Sequence, residues 1–180
     1  MVKTKQRFKI NKSKNGFTLM EVLIYVGVLM ILLTAIFSLL LWLVRSDIKA
    51  KVMREVLDNA KRSMNTMVYE IKEAKNIYNP TTSSSQLSLV TTKYLPGGET
   101  STYIDFYLCG TQLCLKKESQ DPTTLTSEAV EVKNLVFTKI ISNEAPSIQI
   151  NLTIEYKNPS GRPEYSASIS LTSTASLRSY

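Results

Sequence analysis

A chain of 180 residues has room for one ordinary domain, or for one domain and an appendage, because globular domains usually run to about 100 to 150 residues. Its 22 Lys and Arg against 15 Asp and Glu leave a net charge of +7. Histidine is absent and only two cysteines occur, which excludes His-based dyads and triads, His-containing metal sites, and a zinc or iron–sulfur centre built by this chain alone. The composition therefore points to mechanical, adhesive or architectural work and away from an enzyme.

The excess charge is concentrated at the start. Residues 1–16 hold Lys3, Lys5, Arg7, Lys9, Lys12 and Lys14 with no acid, and the remainder is close to balance. No basic surface for nucleic acid is expected from so local an excess. Phe17 to Val44 then follows as an apolar segment charged only at Glu21. Its uncharged stretch from Val22 to Val44, as a helix rising about 1.5 Å per residue, is about 34 Å long, enough for a hydrocarbon core of about 30 Å. Cations ahead of the span predict a cytoplasmic N-terminus, with everything after Val44 on the outer side. Secretory signals carry a shorter apolar region, of about 7 to 15 residues, ended by a small-residue cleavage site. No such site ends this run, so the helix is expected to stay in the working protein. Glu21 is the anomaly, since a carboxylate at the bilayer centre costs on the order of 2.5 to 3.5 kcal/mol and less towards the ends. A position at the headgroup level is one reading of it.

The adjoining residues suggest another. Lys14-Asn15-Gly16-Phe17-Thr18-Leu19-Met20-Glu21-Val22-Leu23-Ile24 resembles the processing signal of type IV prepilins and the related pseudopilins, over roughly the first thirty residues. The shared features are a basic leader, a glycine, an N-terminal Phe, Thr-Leu, a Glu four residues after the Phe, and an uninterrupted apolar helix. The resemblance implies that a prepilin peptidase and methyltransferase cuts between Gly16 and Phe17 and methylates the new amino group of Phe17. It implies that Glu21 is the carboxylate needed for assembly, and that the partners are other pilins or pseudopilins and an inner-membrane assembly platform. The charges make physical sense of this. Cleavage removes the cationic block and exposes an α-amino group of reference pKa about 8, one helical turn from Glu21. In a bundle of such helices, the Glu21 of one subunit is expected to meet the Phe17 amine of a neighbour, because an unpaired buried charge is costly. Many major pilins carry a helix-kinking proline about twenty residues past the cut. Here Ser38 lies in that neighbourhood and no proline occurs from Phe17 to Asn79, which suits a minor pilin or a pseudopilin.

Beyond the span, Arg45, Asp47 and Lys49 mark the exit into water, and nothing breaks the helix until Pro80. Met53, Leu57, Ala60, Met64, Met67, Ile71, Ala74 and Tyr78 recur at spacings of four and three, predicting one apolar stripe along an amphipathic half-helix at 45–78. The opposite faces carry charges that include Glu55, Arg62, Glu70 and Glu73. A helix continuous from Phe17 to Tyr78 would extend about 93 Å, the stalk of the lollipop shape that the resemblance also implies. The stripe needs a cover, either a coiled-coil partner or a sheet; the strand-rich remainder of the chain favours the sheet.

Asn79 to Ser85 reads as a breaker and link. Strands are predicted at Gln86–Thr92, Ser101–Cys109, Leu113–Lys117, Ala129–Ile141, Ser147–Tyr156 and Tyr165–Leu177, separated by turns that include Pro96-Gly97-Gly98. The fold class expected is α+β: a long N-terminal helix packed on an antiparallel sheet of about five or six strands. A two-residue turn at Thr111-Gln112 would set Cys109 opposite Cys114, near the spacing of a disulfide, which an oxidising outer location favours. Two unbonded thiols are the alternative. Asp105, Asp121, Glu128, Glu131 and Glu144 are scattered and assemble no catalytic or metal site, and no cofactor is expected. Tyr94, Tyr103, Phe106 and Tyr107 read as core or cross-strand pairs.

The organisation expected is a removable leader at 1–16, a transmembrane and filament-core helix at 17–44, the amphipathic half at 45–78 and an extracytoplasmic β-rich head at 79–180. The function implied is that of a structural subunit, a minor pilin or pseudopilin of a type IV pilus or a type II secretion filament. It would be stored in the inner membrane and assembled through its N-terminal helix. The order of long helix and late strands loosely resembles the J-type minor pseudopilin. The alternative is a permanently membrane-anchored binding or sensing domain with an uncut N-terminus.

Overall fold

The computed structural model describes residues 16–95, 97–140 and 146–178. The leader up to residue 15, Pro96 of the predicted turn and the connection at 141–145, with Glu144, lie outside them. The chain divides into two compact units, one ending at Leu43 and the other running from Val44 to Tyr180. A single helix, α1 (Leu19–Glu73), contributes to both.

In the first unit α1 is apolar all round, and every side chain from Val22 to Leu43 is exposed. Two aliphatic hydroxyls lie inside this apolar stretch, and each folds back on the helix: Thr34 Oγ1 donates to the Ile31 carbonyl at 2.8 Å and Ser38 Oγ to the Thr34 carbonyl at 2.9 Å. Both are thus satisfied without water, which an apolar surrounding requires.

In the second unit α1 packs on two antiparallel sheets. The first contains β1 (Asn76–Ile77), β2 (Leu87–Thr91), β3 (Thr102–Cys109), β4 (Gln112–Lys117) and β5 (Thr123–Thr124), in sequential order. The second contains β6 (Val130–Ile140), β7 (Ser147–Tyr156) and β8 (Ser168–Ser176), again sequential. The period-2 patterns dictate the inward faces: Leu87 and Leu89, Ile104 and Phe106, then Ile148, Ile150, Leu152 and Ile154 are buried and join Val56, Ala60, Met67 and Ile71 of α1 in one core. The expected helix on antiparallel strands is what the chain forms.

The strands are arranged differently from the single sheet of five or six expected. The polar stretch after β4 forms only the two-residue β5 before turning away, and β6 pairs with β7 instead of extending the first sheet. β6 itself changes phase. Its register shifts between Val132 and Asn134, and this bulge at Lys133 switches the buried positions from even (Val130, Val132) to odd (Leu135, Phe137). Lys133 Nζ pairs with Glu131 at 2.6 Å, and that hydrogen bond holds its ammonium above its ordinary pKa.

Three further expectations are corrected. The helix stops at Glu73, not Tyr78, because Asn76 and Ile77 pair with Val90 and Leu89, and the Tyr78 amide donates to the Ser88 carbonyl. The buried stripe enters one residue earlier than predicted: Val52 and Val56 are buried, whereas Met53 is 39% exposed. Both pairs are apolar at i, i+4, and only the sheets decide between them. Glu70, assigned to the charged face, is 5% exposed. Its Oε1 receives a hydrogen bond from Tyr94 at 3.4 Å, while Oε2 has no partner among the described residues.

Candidate functional site

Within the first unit, local chemistry concentrates at the start of α1. Thr18 precedes the first helical residue, and its Oγ1 accepts from the Glu21 amide at 3.3 Å. That is an N-cap, and Thr18-Leu19-Met20-Glu21 has the T-x-x-E spacing of a capping box. The carboxylate does not reach back to the cap; Glu21 Oε1 instead accepts from the Tyr25 hydroxyl at 3.0 Å, one turn further on. The Tyr25 ring meets Phe17 edge to face, with centroids 6.3 Å apart. The cap thereby leaves Gly16 and Phe17 outside the helix, both exposed. A peptide bond in that state is reachable by a protease, whereas one inside a hydrogen-bonded helix is not. Sequence reasoning singled out Gly16, Phe17 and Glu21 and counted Thr18 in the motif, but gave Thr18 no capping role and Tyr25 no part, although the T-x-x-E spacing was there to be read.

In the second unit, Cys109 and Cys114 are joined by a disulfide, with Cα atoms 5.9 Å apart. The hairpin differs from the one predicted. Cys109 lies opposite Gln112, so the turn residues are Gly110 and Thr111, and Cys114 lies opposite Tyr107. The cysteines are diagonal neighbours. Gly110 has φ 69° at the first turn position, the conformation a type II′ hairpin demands and glycine supplies without strain. Carrying the full chain through thiol titration is expected to give no reactive thiol before reduction and two after it. Two thiols in the unreduced, freshly isolated protein would remove the staple.

Two polar seams fasten α1 to the strands. Buried Asn59 accepts from the Ser127 amide at 2.8 Å, and Glu55 Oε1 accepts from the Ser127 hydroxyl at 3.0 Å, tying the helix to the loop before β6. At the other end, Lys93 reaches Glu73 at 2.8 Å and the Tyr69 hydroxyl at 2.9 Å, and Arg178 pairs with Glu73 at 3.2 Å. The hydrogen bond from Lys93 holds the Glu73 carboxyl below its ordinary value of 4.5, and the same bond raises the Lys93 ammonium. A lowered carboxylate contributes stability above its unfolded pKa and loses it as pH falls through the folded value; a raised ammonium contributes below 10.5 and loses it as pH rises further. The stability difference between the wild type and Lys93→Met, measured in urea, is therefore expected to hold steady around neutral pH and to shrink as the solution is acidified below 4.5, where only the Tyr69 contact is left. A difference that persists unchanged at pH 3 would contradict the pairing.

Among the described residues, no three His, Cys, Asp or Glu side chains converge as metal ligands. Among the described residues, α1 is the one helix long and apolar enough to cross a membrane. No curated protein and no solved structure matches this chain. The model of the prokaryotic N-terminal methylation motif matches residues 11–40, a segment that takes in Gly16, Phe17, the Thr18 cap and Glu21. The chain thus carries, at the head of its apolar helix, the type IV pilin and pseudopilin signal.

Proposed function

We propose that this protein is a structural subunit, a minor pilin or pseudopilin, of a type IV pilus or type II secretion filament. A prepilin peptidase removes residues 1–16 on the cytoplasmic side and the amine of Phe17 is methylated. The mature subunit waits in the inner membrane with its β-rich head outside, then joins other pilins through α1. The Cys109–Cys114 bond staples a hairpin of that extracytoplasmic head.

The observation that carries this reading is the capped helix start. Thr18 caps the start of the helix two residues after Gly16, the scissile bond lies exposed beside it, and Glu21 sits in the first turn of a segment whose apolar side chains have no cover of their own. An apolar surface that long needs lipid or other helices around it, and a filament core made of sister helices provides the second. The missing proline supports a minor subunit in preference to a fibre-building one.

N-terminal mass analysis of the protein from cells that possess the peptidase tests the proposal. The expected mature chain begins at methylated Phe17. A chain that retains residues 1–16 would instead describe a permanent membrane anchor.

A further inference from the structure

The outward face of the first sheet carries a cleft of about 370 Å³, within the range of about 300 to 1,000 Å³ in which small-molecule sites fall. Its floor follows from strand alternation: Ile104 and Phe106 of β3 point into the core, so Tyr103 and Asp105 point out. Lys116 of β4 lies opposite Asp105 in the register, and Tyr78, just past β1, brings its ring to 4.8 Å from that of Tyr103, edge to face. Glu118 and Ser119 close one side. Thr81 completes the lining, but its hydroxyl is already donated to Ser88.

Most of the other polar atoms here are uncommitted. Glu118 Oε2 is used up, accepting from the Thr102 hydroxyl at 3.0 Å and the Tyr103 amide at 3.1 Å. These bonds hold Glu118 in place and leave Oε1 without a partner among the described residues. Asp105 and Lys116 face each other across the strands without forming an ion pair. Neither they nor the hydroxyls of Tyr78, Tyr103 and Ser119 have a hydrogen-bond partner among the described residues. Ser119 is held at φ 63°, in the left-handed region that a non-glycine residue seldom adopts.

The cleft therefore offers two carboxylates as acceptors, an ammonium as donor, three hydroxyls that do both, and a pair of half-buried aromatic rings. A cationic amine would use only the acceptors, and a phosphate only the donors. A ligand that uses the whole set must carry many groups that both donate and accept, together with an apolar face to lie against a ring. That is the chemistry of a pyranose. We infer that this cleft is a saccharide subsite of the head, and that it takes neutral hexose units. Two carboxylates against one ammonium disfavour acidic sugars. The inference is independent of the filament role, since the cleft is built entirely within the second unit.

Saturation-transfer NMR with the full chain in phospholipid nanodiscs tests it, using maltotriose, cellotriose and tri-N-acetylchitotriose as neutral probes, trigalacturonate as the acidic one and spermidine as the cationic one. Transfer to at least one neutral trisaccharide is expected, with none to trigalacturonate. Asp105→Asn, which keeps the shape and removes the strong acceptor, is expected to weaken binding about tenfold, as is Tyr103→Phe combined with Ser119→Ala. Lys139→Ala, on the second sheet, is expected to leave binding unchanged. Three outcomes overturn the inference: no transfer to any neutral sugar, undiminished binding in both Asp105→Asn and the double variant, or binding of spermidine alone, which would make the cleft an amine site.

Discussion

Glu21→Ala is expected to enter the membrane as well as the wild type does and to fail at incorporation into a filament. Insertion should not suffer, because the substitution takes a charge out of an apolar segment. Assembly should suffer because, on the proposed reading, the cleaved Phe17 amine of a neighbouring subunit needs that carboxylate. Leaving a buried charge without its partner costs about 3 to 5 kcal/mol, which corresponds to a loss of about 150- to 4,000-fold in affinity for the filament end. The Tyr25 bond to Glu21 suggests a second variant. Glu21→Gln retains an oxygen for the Tyr25 hydroxyl and lacks only the charge, so it is expected to stay as defective as Glu21→Ala. Comparing membrane fractions with sheared filaments checks both. Wild-type incorporation of Glu21→Gln would mean that the residue acts through its local hydrogen bonds and not through its charge.

The second large effect is expected in the head. Phe106 is fully buried in β3, flanked across the sheet by Leu87 and Leu115. Phe106→Ala removes a ring from a close-packed interior that relaxes only partly around the void, at a cost of about 3 to 5 kcal/mol. Set against the 5 to 15 kcal/mol that typically separates folded from unfolded domains, that is a large share. Leu40→Ala, an apolar truncation where the side chain is 51% exposed, is expected to leave the unfolding midpoint of the head where it was. Urea unfolding of the full chain in detergent, followed by tyrosine fluorescence, compares the two. Equal losses would mean that the second unit does not hold its own core.

Much of the candidate site was legible along the chain because its determinants are close in sequence. A glycine, a Phe and a Glu four residues apart, ahead of an apolar run, need no knowledge of the rest of the molecule. The cap at Thr18 was equally available, since it depends on a residue three positions away. The strand positions were largely legible too, from alternation at β3 and β7. Even the bulge in β6 left a trace, in the apolar parity that changes between Val132 and Leu135.

Other features were hidden, each for an identifiable reason. Glu70 reads as a surface charge because its neighbours along the helix are charged; it is buried because the loop after β2 lays Lys93 and Tyr94 over that side of α1. The cysteines were predicted as opposite partners because the sequence does not say which two residues of Gly110-Thr111-Gln112 turn. The strands were merged into one sheet because strand pairing is decided by residues far apart in the chain.

What the sequence determined by itself is whatever rests on short-range spacing: the apolar length of α1, the acid near its start, the basic block before it, and the alternation of the strands. What only the tertiary structure decided is which of two equivalent apolar pairs faces the core, where the helix yields to β1, how the strands of the described residues divide into two sheets, and that Tyr78, Asp105 and Glu118 share one cleft. The physical reason is the same throughout. Spacing along a helix or strand follows from covalent geometry, whereas burial and cross-strand neighbours follow from which distant surface offers the larger apolar contact.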